Sequence, residues 1–540
     1  MICTGAQAMA RALEAEGVKL AFGYPGAAIC PFLDALAESS VRPVLVRHEQ
    51  SAGHAASGYA RMTLRPGVCF ATSGPGATNL ITALATAYMD SIPLVAVTGQ
   101  VRTDLIGRDV FQEADITGAA EPFSKYSYLV ERAEDIPRVF REAFYIAGSG
   151  RPGPVLIDMP IDIQQAELDF AYPAKVDIRG YKPSFRGHAL QLKKVAQAVA
   201  QAKRPVLCAG GGVFFSGAQE ELLGFAEKCG IPVVTTMMGL GAVPARHPLA
   251  IGMLGTHGVA AANRAIHEAD LLLIVGARVG DRAMARPDQI AARTKVIHID
   301  IDPAEIGKNL EAEIPVVGDA RQILHELYAL AEPGDTAEWV QYCRSLRDAP
   351  APEPPAVSRE GCVEPRAFSA LLSEKLDEDA VFVSDVGQNQ IWSANRYLAR
   401  RGRFLTTGGM GTMGYALPAA EGAAAAKPGT QVVACCGDGA FQMSFMELGT
   451  LMQYGLDVKI VVMRNNCLGM VREVQRAQYG GRYTATQLVD PDFIALAAAY
   501  GIPGRRVASD ADAESAVGEM LAHKGPFLLE VPVSPEESSL

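Results

Sequence analysis

Short apolar runs alternate with amphipathic segments along most of the chain, and this alternation predicts strands followed by helices. The runs predicted to be buried strands lie at residues 44–46, 155–158, 205–209, 271–275, 295–299, 381–384, 431–436 and 458–463. Between the last two runs, residues 441–454 have a helical pattern, and Gly455 is placed to end that helix. A strand, a helix and a second strand in this order predict parallel strands with helices on the faces of the sheet.

Two segments without a clear period divide this pattern into three blocks, which are residues 1–165, 189–345 and 363–540. The first linker spans about residues 166–188, and the second, residues 348–357, is proline-rich and predicted to be extended and solvated. A chain of 540 residues has room for about three domains of ordinary size. The expected fold class is therefore α/β, with three domains that each contain a doubly wound parallel sheet.

The most informative polar residues lie at the ends of the last two predicted strands. Gly437, Asp438 and Gly439 follow one strand, and Asn465 and Asn466 follow the next, with Asn465 lying 27 residues after the aspartate. Parallel strands bring both ends to the same edge of the sheet, where α/β proteins bind ligands. Oxygen ligands from Asp438 and Asn465, with a close glycine backbone at the start of a helix, predict a magnesium diphosphate site. The alternative is an ordinary turn followed by an unrelated polar pair.

Composition and charge narrow the choice of partners. The net charge is −11 and the isoelectric point is near 5.4, which argues against nucleic acid or an anionic membrane surface. No apolar run reaches the roughly 18 residues of a transmembrane helix, and the first residues lack the pattern of a signal peptide. The ten cysteines contain no CxxC pair and lie mostly in apolar surroundings, so we expect reduced thiols and a cytoplasmic protein.

The Gly-Asp-Gly turn and the asparagine pair resemble the signature of thiamine-diphosphate (ThDP) enzymes. The rest of the chain resembles one branch of them, the catalytic subunits of acetolactate (acetohydroxyacid) synthases. The segments that carry this resemblance are FGYPGAAI (22–29), RHEQ (47–50), ATSGPGATNL (71–80), DSIPLVAVTGQV (90–101), GRDVFQE (107–113), SGRPGPVLIDMP (149–160), MGLG (238–241), HIDIDPAEIGK (298–308), SDVGQNQ (384–390), GGMGTMGYALPAA (408–420) and NNCLGMV (465–471).

The resemblance assigns a role to each block. Residues 1–165 are expected to bind the aminopyrimidine of ThDP, and residues 363–540 are expected to bind its diphosphate and Mg²⁺, with the same fold in both blocks. Residues 189–345 are expected to form a Rossmann-like domain that binds FAD.

The resemblance also assigns catalytic roles to Glu49 and Gln112. From the residues alone, Glu49 follows a strand and would equally pair with Arg47 or cap the next helix, and Gln112 would be a solvated loop residue. In the family, this glutamate bonds a ring nitrogen of the aminopyrimidine and promotes the tautomer that removes the thiazolium C2 proton, which requires a partly desolvated carboxyl group. Phe111 and Gln112 are expected beside the reacting carbon.

A set of cofactor contacts follows from the same resemblance. Asp438, Asn465 and the backbone carbonyl of Cys467 are expected to hold Mg²⁺. The carbonyl of Gly411 is expected to accept from the pyrimidine amine, and Met413, by sequence alone a core methionine, would prop the cofactor in its bent form. The expected ThDP-binding residues are Tyr24, Pro25, Gly26, Pro75, Asn79, Val386, Gly387, Gln388, Asn389, Gly411, Met413, Gly437, Asp438, Gly439, Ala440, Asn465, Cys467, Gly469 and Met470.

The middle block is expected to bind FAD in a largely structural role. Its strand ends carry glycines and acids, but without the spacing of the usual dinucleotide fingerprint. The family segment GARFDDR is GARVGDR here, and Val279 and Gly280 occupy the changed positions. The expected FAD-binding residues are Arg151, Gly211, Gly212, Gly255, His257, Gly276, Arg278, Asp281, Asp300, Ile301 and Asp319.

The resemblance implies a transferase that decarboxylates pyruvate and adds the remaining two-carbon unit to a second 2-oxoacid, in branched-chain amino acid (valine, leucine and isoleucine) biosynthesis. The product is 2-acetolactate when pyruvate is the acceptor and 2-aceto-2-hydroxybutanoate when 2-oxobutanoate is the acceptor. Phe111, Met470 and Val474 are expected to shape the substrate pocket. Val474 stands where the family usually has tryptophan, so the choice of acceptor stays open.

Two further departures and the assembly of the family add expectations. Ile161 replaces the usual lysine, and the sequence stops at residue 540, where relatives continue with a tail that covers the active site. Without that lid, more of the simple decarboxylation product is expected.

Active sites between subunits imply a homodimer or tetramer, with a small regulatory subunit as a further partner. The alternatives are another ThDP-dependent 2-oxoacid decarboxylase or carboligase, a pyruvate oxidase, and a non-catalytic relative that serves only in assembly.

Overall fold

Three six-stranded sheets, one in each block, form the framework of the computed structural model, which describes residues 1–350 and 360–539. Within each of these sheets, all neighbouring strands run parallel. The predicted α/β class with three doubly wound parallel sheets is confirmed. Most of the segment predicted to be proline-rich and extended, residues 351–357, lies outside the described residues.

The first block has a sheet in the strand order Arg42–Leu45, Leu20–Gly23, Gly67–Ala71, Leu94–Gln100, Pro154–Pro160 and Tyr126–Leu129. Its helices are Gly5–Ala15, Cys30–Ala37, Glu49–Thr63, Pro75–Asn79, Ile81–Met89, Ile116–Ala120, Ile136–Gly148 and Ile161–Gln165. A small antiparallel sheet pairs Ile2–Thr4 with Glu167–Asp169. Part of the predicted linker is therefore ordered, because it pairs with the beginning of the chain.

The middle block has the strand order Ala250–Met253, Val233–Thr235, Pro205–Ala209, Leu271–Val275, Lys295–Asp300 and Ile314–Val317. Its helices are Ala189–Gln201, Gly212–Phe215, Gln219–Cys229, Ala260–Glu268, Pro287–Ala291, Ala320–Leu330 and Ala337–Asp348. The strands consist mainly of fully buried aliphatic residues, as expected for a parallel sheet that is covered on both faces.

The third block has the strand order Arg403–Leu405, Val381–Ser384, Val432–Gly437, Val458–Arg464, Phe527–Pro532 and Gly504–Arg506. Its helices are Pro365–Lys375, Gln388–Arg396, Ala416–Ala426, Asp438–Phe441, Leu448–Tyr454, Gly469–Gln478, Phe493–Ala499 and Asp510–Ala522. In the part of the chain that is described, no helix is both long and apolar enough to cross a membrane.

The helix predicted over residues 441–454 is wrong in its extent. A short helix ends at Phe441, a 3₁₀ turn spans Phe445–Glu447, and the regular helix is limited to Leu448–Tyr454. Gly455 ends that helix with a φ of +62°, as predicted. The break has a tertiary cause, because the carboxylate of Glu447 turns toward the first block and accepts the backbone N–H of Arg47.

Two helices join the first and third blocks, and we call Glu49–Thr63 and Ala416–Ala426 the seam helices. A Cβ atom on Gly58 of the first would lie 1.9 Å from the carbonyl oxygen of Ala419 on the second. Only glycine permits this distance between the two backbones. The close packing at Gly58 holds the helix Glu49–Thr63 against the third block.

Candidate active site

The predicted magnesium diphosphate motif forms one cluster at the carboxyl edge of the third sheet. The strands that precede Asp438 and end at Asn465 are parallel neighbours, so their ends lie side by side. One carboxylate oxygen of Asp438 accepts the backbone N–H groups of Asn465 at 2.9 Å and of Asn466 at 2.6 Å. Burial, reinforced by the negative charge of Asp490, raises the pKa of Asp438 to about 7.

The residues of this cluster fit a bound Mg²⁺. A nearby cation favours the ionised form of a buried carboxylate whose pKa is otherwise raised. The described residues contain no group of three or more His, Cys, Asp or Glu side chains that could hold a metal. An ion here would therefore use Asp438, the amide oxygen of Asn465, the carbonyl of Cys467, and phosphate or water oxygens, which are the ligands that Mg²⁺ prefers.

A cavity of about 210 Å³ opens beside this cluster, and we call it the C-terminal half-site. The helices Gln388–Arg396 and Gly469–Gln478 begin at its wall, so their unpaired N–H groups favour an anion there. The predicted ThDP-binding residues that line it are Val386, Gly387, Gln388, Asn389, Gly411, Met413, Gly437, Asp438, Gly439, Ala440, Asn465, Cys467, Gly469 and Met470. The cavity thus fits a diphosphate with its cation.

A tight contact shapes the wall of this cavity. A Cβ atom on Gly469 would lie 1.9 Å from Oε1 of Gln388. That oxygen accepts from the Asn465 amide at 3.1 Å, and the Gln388 amide donates to the carbonyl of Glu537 at 2.9 Å. Gln388 is therefore fixed from two sides, and position 469 has room for glycine alone.

Glu49 lies at the carboxyl edge of the first sheet, as the first residue of the seam helix Glu49–Thr63. It is only 9% exposed, and its Oε2 accepts from the Asn79 amide at 2.9 Å. The two other roles considered from the sequence are not found here. His48 caps the helix, and the guanidinium of Arg47 donates to groups other than Glu49.

Small residues leave room next to this carboxylate. A Cβ atom on Gly76 would lie 3.2 Å from Glu49 Oε1, and one on Gly26 would lie 2.5 Å from the Thr72 side chain. The Thr72 hydroxyl is buried and has no hydrogen-bond partner within the described residues. An unpaired buried hydroxyl beside close glycines fits a polar ring bound next to Glu49.

The other predicted residues of the first block gather at this same edge, which we call the N-terminal half-site. Tyr24, Pro25 and Gly26 follow the strand Leu20–Gly23, and Pro75 and Asn79 lie in the helix after the strand Gly67–Ala71. Phe111 and Gln112 lie in the loop that follows the strand Leu94–Gln100.

The loop of Phe111 and Gln112 has a defined shape in the single chain. Gln112 has a φ of +57°, and its Cα lies 2.9 Å from where a Cβ on Gly74 would stand. The carboxylate of Glu113 closes the loop by accepting the backbone N–H groups of Val110, at 3.1 Å, and of Gly107. Phe111 is nevertheless 86% exposed, so its ring extends away from the packed part of the chain.

The structure does not bring the two half-sites together into one cavity. None of the predicted residues of the N-terminal half-site lines the cavity at Asp438, and neither does Val474. Val474 lies on the helix Gly469–Gln478 and is 43% exposed. The cavity is instead completed by apolar residues that the sequence analysis did not single out, which include Leu468, Val471 and Val533.

Asp90 is a supporting residue that the sequence analysis also missed. One of its carboxylate oxygens accepts the backbone N–H groups of Gly408 at 3.2 Å and Gly409 at 2.8 Å, and the other accepts from Arg61 of a seam helix at 3.3 Å. It therefore fixes the glycine-rich loop that carries Gly411. The signal was present, since Asp90 begins one of the segments that resemble the family.

A larger cavity of about 550 Å³ lies where residues of all three blocks meet. The predicted FAD-binding residues that line it are Arg151, Gly211, Gly212, His257, Gly276, Arg278, Asp281, Asp300, Ile301 and Asp319. The prediction for Gly255 is wrong: Gly255 does not line the cavity, and its backbone N–H and carbonyl are both paired with the Asn263 amide, at 2.8 and 2.9 Å. The volume is in the range of cofactor sites.

The charges and the small residues of this cavity fit a large polar cofactor. Arg151 contacts Glu305 at 2.7 Å, and burial lowers the pKa of Arg278 and raises that of Asp300 to about 6. Gly280 lines the cavity, and a Cβ there would meet no atom within 4 Å. The change from aspartate to glycine at this position therefore leaves the cavity open.

Three family models match the chain in the order of its three sheets. The N-terminal TPP binding domain of thiamine pyrophosphate enzymes matches residues 3–119, their central domain matches residues 192–327, and their C-terminal TPP binding domain matches residues 385–531. The fold, the two half-sites and these matches define the class of thiamine pyrophosphate (ThDP) enzymes.

Individual relatives narrow this class. The chain is 46% identical to the probable acetolactate synthase large subunit of Methanocaldococcus jannaschii, over 99% of this chain and 92% of that protein. It is 48% identical to the acetolactate synthase of Mycobacterium bovis, over 96% of this chain and 86% of that protein. It is 47% identical to the acetolactate synthase large subunit of Corynebacterium glutamicum, over 93% of this chain and 82% of that protein. The chain belongs to the acetolactate synthase large-subunit family, which confirms the resemblance found in its motifs.

Proposed function

We propose that the chain is an acetolactate synthase catalytic subunit. Two pyruvates and one proton give 2-acetolactate and CO₂, and 2-oxobutanoate serves as the other acceptor, in branched-chain amino acid biosynthesis. One observation carries the proposal: similarity to acetolactate synthases over nearly the whole chain goes together with both half-sites, Glu49 with Asn79 and Asp438 with Asn465.

The residues of the C-terminal half-site would hold ThDP by its charged end. Bound ThDP supplies an electron sink, which allows a 2-oxoacid to lose CO₂ and to form a new carbon–carbon bond. The helix starts at Gln388 and Gly469 would bind the diphosphate through backbone N–H groups. Asp438, Asn465 and the Cys467 carbonyl would hold Mg²⁺, which would offset part of the negative charge of the diphosphate.

The residues of the N-terminal half-site would take part in proton transfer to and from the cofactor. Glu49 is desolvated, and Asn79 fixes one of its oxygens, so the carboxyl group is suited to share a proton with a ring nitrogen of the pyrimidine. Gln112 and Phe111, on a loop shaped by Glu113, would position the 2-oxoacid and exclude water from it.

We infer that FAD binds in the larger cavity, through residues such as Arg151, Arg278 and Asp300. The position of this cavity, at the meeting of three blocks, favours a cofactor that holds the blocks together rather than one that reacts. The polar lining and the open space at Gly280 support this assignment.

We further propose a homodimer or tetramer in which each active site combines the N-terminal half-site of one chain with the C-terminal half-site of another. The separation of the two half-sites and the exposure of Phe111 and Val474 support this arrangement. A small regulatory subunit is a further expected partner, because relatives carry the name large subunit. The buried cysteines Cys69, Cys208, Cys435 and Cys436 are free thiols, which suits the reducing cytoplasm.

Product analysis with the purified chain tests the proposed reaction. Pyruvate is supplied with Mg²⁺ and FAD, with and without ThDP, and acetolactate is expected only when ThDP is present. Acetaldehyde or acetate as the main product would contradict the carboligase and indicate a decarboxylase or an oxidase. Bleaching of the flavin by pyruvate without oxygen would contradict the structural role of FAD.

A further inference from the structure

The carboxylate of Glu447 holds the chain immediately before Glu49. Glu447 is fully buried in the third block, and both of its oxygens lie within hydrogen-bond distance of the Arg47 backbone N–H, at 3.0 and 3.1 Å. Arg47 precedes Glu49 by two residues, so a buried group from another block fixes the backbone immediately before the catalytic glutamate.

Other residues of the same turn hold this segment as well. Leu45 donates its backbone N–H to the Tyr454 hydroxyl at 2.7 Å, and Arg47 donates to Gln453 at 2.7 Å. Thr450 donates to Glu447 at 2.6 Å, which orients the carboxylate. Among these contacts with backbone groups, that of Glu447 with the Arg47 N–H lies nearest to Glu49, so Glu447 decides where the beginning of the seam helix lies.

A second buried carboxyl group lies near Glu447 but makes none of these contacts. Glu421, on the other seam helix, has no hydrogen-bond partner for either oxygen within the described residues. Burial and the nearby Glu447 raise the pKa of Glu421 well above its usual range. Burial also raises the pKa of Glu447, and the hydrogen bonds from the Thr450 hydroxyl and the Arg47 backbone N–H oppose that shift.

We propose that Glu447 is a positioning residue for Glu49: its carboxylate fixes the backbone two residues before Glu49, so that the Glu49 carboxyl group stays within reach of the cofactor's pyrimidine. This inference rests on the proposed function. A general base must lie within about 2.6–3.2 Å of the atom with which it shares a proton. Asn79 fixes one oxygen of Glu49 from the first block, and Glu447 fixes its backbone from the third.

Three variants separate this role from a general contribution to the seam. Glu447→Ala removes the acceptor, Glu447→Gln keeps its shape but not its charge, and Glu421→Gln is the matched control, since it changes a neighbouring buried carboxyl group that contacts neither flank of Glu49. The exchange of the C2 proton of bound ThDP for deuterium reports directly on Glu49. ThDP affinity and hydrogen–deuterium exchange of residues 45–52 in the cofactor-free protein complete the comparison.

We expect Glu447→Ala to slow C2 proton exchange about 100-fold, the scale of a 1 Å misplacement, with ThDP affinity changed less than about threefold because the diphosphate is held elsewhere. Glu447→Gln should keep one acceptor oxygen and slow C2 proton exchange about tenfold. Glu421→Gln should match the exchange rate of the wild type within about twofold. Residues 45–52 should exchange faster in both Glu447 variants.

Two outcomes would overturn the inference. One is C2 proton exchange in Glu447→Ala within about threefold of the wild type. The other is an equal loss in Glu421→Gln, which would indicate damage to the seam as a whole. If the wild type itself forms no acetolactate with ThDP, the proposed function fails instead, and amide exchange of residues 45–52 still decides whether Glu447 holds this segment.

Discussion

The two half-sites occupy equivalent edges of similar parallel sheets, but they differ in how completely one chain encloses them. At the C-terminal half-site, Asp438 is 2% exposed and two helix starts close a cavity around it. At the N-terminal half-site, Glu49 is buried, yet the loop above it ends in Phe111, which is 86% exposed. Both sites lie at the carboxyl ends of parallel strands, where α/β proteins bind ligands. How far each site is enclosed depends on what packs against that edge of the sheet.

Each half-site is supported by a residue from the other block. Asp90, in the first block, fixes the glycine-rich loop of the C-terminal half-site, and Glu447, in the third, fixes the backbone immediately before Glu49. A single chain therefore shapes both halves without joining them.

Mixing two inactive variants should give the largest effect. Asp438→Ala removes the cation ligand and should lower activity more than about 10³-fold. Glu49→Gln removes the proton-sharing group and should lower it about 10²- to 10⁴-fold, with ThDP binding retained. When both chains are produced together, activity should return to about a quarter of wild type, because half of the dimers would be mixed and each would contain one intact site.

Each variant produced alone is the control for this mixture, and activity is measured as acetolactate formed per chain. If the half-sites of one chain formed a complete active site, the mixture would be no more active than the better of the two variants. That result would contradict the proposed assembly.

Gly469→Ala should have the next largest effect, and it tests the enclosed half-site alone. The new methyl group would collide with Gln388, which Asn465 and the Glu537 carbonyl hold in place. Overpacking of about 1–3 kcal/mol corresponds to ThDP binding that is about 5- to 150-fold weaker. The affinity for ThDP is measured by titrating the protein with ThDP and following tryptophan fluorescence or the heat of binding.

Gly518→Ala is the matched control for this change. Gly518 lies inside the helix Asp510–Ala522, and a Cβ there would meet no atom within 4 Å. It should leave ThDP affinity unchanged and stabilise the helix by about 0.5–1 kcal/mol. Equal ThDP affinity in both glycine variants would show that position 469 does not shape the site.

The sequence predicted those parts of the site that local patterns encode. The strand ends at Asp438 and Asn465 and the stop at Gly455 follow from period and turn residues, and much of the lining of both cavities follows from the motifs that resemble the family. Contacts between distant residues were missed, because no local pattern records them. Glu447 breaks a predicted helix to reach a backbone group 400 residues away, and Asp90 supports a loop over 300 residues later.

Val474→Trp should have a smaller effect, confined to the choice of acceptor. Val474 is 43% exposed beside the C-terminal half-site, where the family usually has tryptophan. The larger side chain should shift selectivity toward 2-oxobutanoate over pyruvate by about tenfold, within the range for apolar pocket contacts. Competition between the two acceptors measures the product ratio, and an unchanged ratio would place Val474 outside the acceptor pocket.

The smallest effect is expected from His54, which lies behind the N-terminal half-site on a seam helix. Neither of its ring nitrogens has a hydrogen-bond partner within the described residues, and burial lowers its pKa to about 3. An unfolded histidine has a pKa of about 6.5, so below that pH the unfolded chain binds a proton that the folded chain does not. Stability is therefore lost as the pH falls below about 6.5, by up to about 1.4 kcal/mol per pH unit from this residue.

His54→Gln removes this titration, and the difference in melting temperature between pH 7 and pH 5 should become smaller than in the wild type. Any loss of packing against the Tyr415 ring, 5.2 Å away between centroids, would lower both melting temperatures without changing their difference. His188→Gln is the control, because His188 is exposed and should leave the difference unchanged. An equal difference in wild type and His54→Gln would mean that His54 is protonated in the folded protein, and the seam would then contain a charge that the N-terminal half-site has to accommodate.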